Sequence, residues 1–248
     1  MFDLATAMFL ANKQVVQKNN PKNELEEIVI EPAGGGNRYA LMLRRIGEGT
    51  FSEAYITDDK EVIILTMGEE TKGMLADIYN EYGEMAYIPK VEYLGDAFSE
   101  GYQMEAYKSP LYAVPIDYNK SHKAYHMYLM LREIVFDVNN KLDQPYEWDE
   151  DNTSTFSQKQ RANIYDALEK SLNKKPKKIG DIDSDLTSEE WNGFAQTIMF
   201  LIQKSFEYSF FWIMEINTYN LGTDANGQLI LLDIFFDKLA QEQGLGRY

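Results

Sequence analysis

The chain has 248 residues, 44% hydrophobic and 26% charged, a composition that excludes wholesale disorder and collagen-like structure. With no cysteine and two histidines, His122 and His126, it excludes disulfide frameworks and thiolate metal sites and leaves little for histidine-based metal or triad chemistry. Against 40 Asp and Glu stand 24 Lys and Arg, a net charge of −16 that repels phosphate backbones and argues against direct nucleic-acid binding.

Two readings of that acidity stay open. It keeps the chain soluble, or it imitates a nucleic acid and occupies a basic protein. Residues 4–11 (LATAMFLA) fall far short of the roughly 20 apolar residues that span a membrane, and lack the basic flank of a signal peptide. They read as an amphipathic helix ending before Asn19-Asn20-Pro21. No membrane association is expected, and the lack of cysteine and of a targeting signal points to a cytoplasmic setting.

After residue 25 strands alternate with turns. Residues 27–31 (EIVIE) predict a strand, stopped by Pro32 and by Gly34-Gly35-Gly36. Residues 39–46 predict a second, Gly47-Glu48-Gly49 a turn, and 51–56 a third. Asp58-Asp59-Lys60 is turn chemistry before 61–67 (EVIILTM), whose continuous apolar run predicts a central strand. A helix is expected over 70–82, then strands near 90–93 and 101–106.

From about residue 119 the pattern turns helical. Residues 121–139 carry Tyr125, Tyr128, Leu129, Leu131 and Ile134 on one face, and 143–155 (DQPYEWDEDNTST) reads as an acidic surface loop. A helix over 158–172 precedes the basic turn 174–178. Thr187 and Glu190 form the pattern of a capping box that opens the strongest helix, expected to reach Ile213 with Trp191, Phe194, Ile198, Leu201, Ile202, Phe206 and Tyr208 or Ser209 inward. Residues 229–232 (LILL) predict a last buried strand after the turn Asn226-Gly227.

Three local features carry chemistry. In 46–55 (IGEGTFSEAY), Gly47 and Gly49 lie between apolar strands, either as an ordinary glycine hairpin or as a backbone able to approach a phosphate. Near the far end, Glu215, Asn220 and Asp233 supply an acid, an amide and a carboxylate, the parts that phosphoryl transfer requires. Between them, 103–108 (QMEAYK) is a connector, either a plain linker or a source of backbone hydrogen bonds for an adenine.

Taken together, residues 46–55, Ile88-Pro89-Lys90-Val91, 104–108, Leu201-Ile202-Gln203-Lys204 and 220–233 resemble the small early serine/threonine protein kinases of podovirus-type bacteriophages, over about residues 40–236. The resemblance implies an α+β, bilobal protein-kinase-like fold, with an antiparallel-sheet N-lobe over 37–106, a mainly helical C-lobe over 107–248, and 1–36 as a helix-and-strand extension. It implies that Gly47, Gly49 and Ser52 cover the ATP phosphates and that the backbone at Glu105 and Tyr107 holds adenine. It places Asn220 and Asp233 on magnesium and Glu215 at the position of the catalytic aspartate.

The sequence departs from that pattern. The strand lysine that pairs the phosphates falls at Ile64, the third loop glycine is Ser52, the His-Arg-Asp triplet becomes Ile213-Met214-Glu215, and Asp-Phe-Gly becomes Asp233-Ile234-Phe235. Lys72, at the start of the next helix, is the substitute cation that the sequence offers. Two functions follow. One is an ATP- and Mg-dependent phosphotransferase acting on a hydroxyl of a host protein during infection. The other is a catalytically silent pseudokinase, or acidic inhibitor, that binds and blocks such a protein. A small-molecule phosphotransferase ranks below both, and a metal hydrolase lower still.

Overall fold

A computed structural model of the chain describes residues 25–48, 52–67, 70–99, 101–119, 121–141, 158–174, 178–179, 182–183, 186–208, 212–214 and 216–237. The N-terminal helix expected over 4–11 and the acidic loop at 143–155 lie outside those residues. The chain divides into two compact units, one built on residues up to Gly68 with Tyr93–Ser109, the other on Glu69–Glu92 with the chain from Pro110 onward.

The first unit is a closed barrel. Its strands are β1 (Leu25–Pro32), β2 (Tyr39–Glu48), β3 (Ser52–Ile56), β4 (Glu61–Thr66), β5 (Glu92–Ser99) and β6 (Tyr102–Pro110), joined in the order β1-β2-β3-β4-β6-β5 and back to β1. Alternation along each strand sends Ile28 and Ile30, Leu43, Tyr55, Ile63 and Leu65, Ala97, and Met104 and Ala106 into one core. Strand β4 also buries Val62 and Thr66 on its other face, the double burial that its unbroken apolar run predicted.

The bilobal protein-kinase-like fold implied by the resemblance is overturned by this barrel, whereas the mixed α+β class holds. The physical reason lies in residues 25–32, which the sequence reading set apart in the extension 1–36. They form a sixth strand whose two edges are both used: Leu25 to Ile30 pair with Arg44 to Tyr39 of β2, and Val29 to Pro32 pair with Phe98 to Gly95 of β5. An open N-lobe sheet leaves edges free; here hydrogen bonding runs round the cylinder. The strand expected near 90–93 starts later, at Glu92, beyond Pro89.

The second unit holds the four described helices: α1 (Glu70–Tyr82), α2 (His122–Lys141), α3 (Gln158–Leu172) and α4 (Ser188–Glu207). Short strands accompany them: β7 (Lys178–Ile179), β8 (Ile182–Asp183), β9 (Trp212–Met214), β10 (Leu221–Thr223), β11 (Leu229–Leu231) and β12 (Phe235–Asp237). Helix α4 packs on α1 and α3, α3 packs on α2, and α2 packs on β11. Trp191 and Phe194 are fully buried, and the indole N–H of Trp191 donates to the Leu172 carbonyl at 2.8 Å, so the largest core side chain leaves no polar atom unpaired.

The capping box is as expected. The Thr187 hydroxyl accepts from the Glu190 N–H at 3.1 Å and the Glu190 carboxylate accepts from the Thr187 N–H at 2.8 Å. Lys123 first, then Thr187, pulls the Glu190 carboxyl down to about 2. Helix α4 stops at Glu207, short of the expected Ile213. The Tyr208 N–H closes the last turn on the Ser205 carbonyl at 3.2 Å, and the aromatic and β-branched run after it enters strand β9, paired with β12.

Candidate functional site

The hairpin β10–β11 positions the two predicted metal-holding residues. Its turn is closed by the Asp224 carboxylate, which accepts from the N–H groups of Asn226 at 2.9 Å and Gln228 at 2.8 Å, with Gly227 at a φ of 78° completing the reversal. On its entry side, the Asn217 side-chain oxygen accepts from the backbone of Tyr219 at 2.8 Å and of Asn220 at 3.0 Å. On its exit side, the Asn220 carbonyl accepts from Leu232 at 3.1 Å and from Asp233 at 3.0 Å. Asn220 and Asp233, far apart in sequence, are thus clamped backbone to backbone at the open end of the hairpin.

The hairpin is also fastened outward. The Leu231 N–H donates to the Tyr87 carbonyl at 2.8 Å, and Ala113 exchanges two hydrogen bonds with Thr223. Gly222 is there because nothing larger fits easily: a Cβ would lie 3.0 Å from the Leu232 side chain and 3.2 Å from the Ala113 carbonyl.

Into this corner helix α1 sends Lys72. Its side chain is 8% exposed, its Nζ donates to the Leu232 carbonyl at 3.2 Å, and it lies 3.6 Å from Asp233 Oδ1. That oxygen is out of reach of solvent and accepts no hydrogen bond, although the Asp233 side chain as a whole is 38% exposed. A carboxylate oxygen with no hydrogen bond is costly to bury and well disposed to a cation. Among the described residues no cluster of three His, Asp or Glu could cage a metal by itself. One carboxylate with an amide neighbour suits magnesium, which takes few protein ligands and fills its shell with phosphate oxygens and water.

The other predicted site residues stand as follows. Glu215 and Gly49 lie outside the described residues. Gly47 pairs with Ala54 just past a bulge in β2, where Ile46 is the extra residue between the pairs Arg45–Tyr55 and Gly47–Ala54. Ser52 opens β3 opposite Thr66. Glu105 and Tyr107 lie on β6, which has a neighbouring strand along each edge, and the Tyr107 hydroxyl donates to the Glu105 carboxylate at 3.0 Å. Ile64, on β4, pairs with Ala54 of β3, and β4 has neither Lys nor Arg. Gly47, Ser52, Glu105 and Tyr107 therefore belong to the barrel unit, and Lys72, Asn220 and Asp233 are brought together within the helical unit.

Sequence reasoning named Lys72 but had no means of fixing its direction. The signal was its neighbours: Thr71, Met74, Leu75 and Ile78 are buried with it, so the first turn of α1 carries its cation on the inward side. Gly222 was missed, since a glycine between Leu221 and Thr223 announces a close approach only once the hairpin's partner is known. No protein-family model matches the sequence, and no curated protein matches it.

Proposed function

We propose that the corner formed by Lys72, Asn220 and Asp233 binds the magnesium-complexed phosphates of ATP, and that the protein transfers a phosphoryl group to a hydroxyl. The reading rests on the chemistry of the helical unit and takes nothing from the fold expectation. The observation that carries it is the covered, hydrogen-bond-free oxygen of Asp233 beside a buried ammonium. A desolvated corner with one carboxylate and one cation complements a ligand that itself carries both signs, a phosphate chain with its metal.

In this reading Asp233 and the Asn220 side chain hold the metal, which when bound neutralises charge on the phosphates. The paired backbone of the hairpin fixes the main-chain positions of the two residues before the ligand arrives, so the backbone need not reorganise at binding. Glu215 orients the acceptor hydroxyl, as the sequence resemblance implies. That resemblance alone supports a hydroxyl on a host protein as acceptor. A cytoplasmic setting belongs to the same reading and agrees with a chain that has no cysteine and no described helix long and apolar enough to cross a membrane.

The test is transfer of label from γ-labelled ATP to a protein acceptor in host lysate, with and without magnesium. Asp233→Asn keeps size and removes the charge; it is expected to lower transfer on the order of 100-fold or more. Equal labelling by wild type and Asp233→Asn would remove the corner from the reaction. Wild-type binding of Mg-ATP with no transfer to any acceptor would remove the transfer step.

A further inference from the structure

We propose that the outer face of the barrel over β1 and β2 is the contact surface for a second copy of this chain. The inference stands apart from the nucleotide reading and uses only residues of the barrel unit.

Strand β2 is largely apolar on both sides and covered on one. Ile28, Ile30 and Leu43 turn into the core, so Val29, Ala40 and Met42 turn outward. The outward positions of β2 are Ala40, Met42 and Arg44, followed by Ile46, the extra residue of the bulge, and all of them are exposed, Met42 by 57%. Leu25, which pairs with Arg44 from β1, is 60% exposed, and Ile56 pairs with Arg44 from β3. Strand β4 has apolar side chains on both sides and buries both; β2 leaves one in water. Single apolar side chains scattered over a surface are ordinary, but Leu25, Met42 and Ile46 gather around Arg44 on one sheet face. Both edges of β1 and of β2 are hydrogen-bonded within the barrel, so a partner must meet side chains and cannot add a strand.

The charge pattern decides the occupant. Leu25 lies opposite Arg44 and Glu27 opposite Met42, so the four form a chequer, the apolar pair on one diagonal and the two charges on the other. A two-fold axis laid along the Leu25–Met42 diagonal sets each of these against its own copy. The same rotation sets each Arg44 against the Glu27 of the other molecule. The face is thus complementary to itself.

It is also locally neutral. Glu27 and Arg44 cancel, and beside them Glu31 is paired with Arg38 at 2.6 Å. Two molecules of net charge −16 repel each other at range. At physiological ionic strength that repulsion fades over about 8 Å, so a neutral patch is where they can meet. A basic partner would find no net negative charge here to recognise it. Because a barrel face is convex, the contact is small and the dimer forms only as concentration rises.

Sedimentation equilibrium of the full chain at physiological salt tests this. The mean mass of wild type is expected to climb with concentration toward twice that of one chain. Arg44→Glu and Glu27→Arg each set like charges together twice in the dimer, and each is expected to weaken it by about 100-fold or more. Mixed in equal amounts, the two variants restore both opposite-charge contacts, so the mixture is expected to dimerise as wild type does. Met42→Lys, which brings two ammonium groups together on the axis, is expected to stay monomeric with no rescue by either variant. Melting transitions check that each variant is folded, and should one fail, wild type and the remaining variants decide. A wild type that is monomeric at every concentration overturns the proposal and leaves the face to another occupant. A dimer that Arg44→Glu and Met42→Lys leave intact lies elsewhere on the molecule and overturns it too, as does a mixture of the two charge variants that stays monomeric.

Discussion

Within the barrel, Arg45 is packed among three carboxylates and a phenol. Its guanidinium lies 3.0 Å from Glu53, 3.2 Å from Glu48 and 3.4 Å from Glu26, and its Nη2 donates to the Tyr55 hydroxyl at 3.3 Å. Tyr55 in turn is 2.8 Å from Glu53 and 3.0 Å from Glu26, with one proton to donate between them. Burial, reinforced by Glu53, pushes the Tyr55 hydroxyl pKa well above its ordinary value, so the phenol stays neutral. The Glu53 side chain is 1% exposed and would lose the guanidinium 3.0 Å away if Arg45 were removed. Arg45→Met is therefore expected to destabilise the barrel by about 3 kcal/mol, and adding Glu53→Gln to recover part of it. Urea unfolding of the single and double variants checks this; a single-variant loss under about 1 kcal/mol would contradict it. The same residue scale marks the limit of sequence reading. Arg45 and Glu53 look like surface charges in a list of residues, as Lys72 does, because which strand or helix face turns inward is decided by partners elsewhere in the chain.

At the scale of elements, the barrel closes at Gly95. It stands opposite Pro32 with a φ of 134°, and a Cβ there would lie 2.0 Å from the Glu31 carbonyl and 2.7 Å from the Ala33 N–H. Both objections act on backbone, which cannot move aside like a side chain. Gly95→Ala is expected to cost about 3 kcal/mol or more and to loosen the β1–β5 seam selectively. Hydrogen exchange should show faster exchange at Val29 to Glu31 than at the β3–β4 pair; uniform protection would contradict that. Strands β1 to β4, helices α1 to α4 and the capping box were legible because turn residues and periodicity are local signals. Closure was not, because it depends on β1 meeting β5 side by side, Pro32 against Gly95, a pairing that no local pattern in either strand encodes. The hairpin β10–β11 was legible from Asn226-Gly227, while the clamp between Asn220 and Asp233 required the pair to be seen.

At the scale of the molecule, a net charge of −16 opposes compactness through self-repulsion. Salt shortens the range of that repulsion to about 8 Å at physiological strength, from about 30 Å at 0.01 M. The melting midpoint at neutral pH is therefore expected to rise by a few degrees across that interval, on the order of 1 kcal/mol for a chain of this size. A midpoint that falls would mean that favourable ion pairs outweigh the excess acid. The cylinder of hydrogen bonds has its own bearing on how this chain can be handled. Cutting away the first 32 residues would leave β2 and β5 with bare rims of N–H and C=O groups, each a template for a strand from another copy. A shortened chain begun at residue 37 would thus trade a sealed cylinder for two adhesive margins, and its clumping would report on strand loss rather than on chemistry.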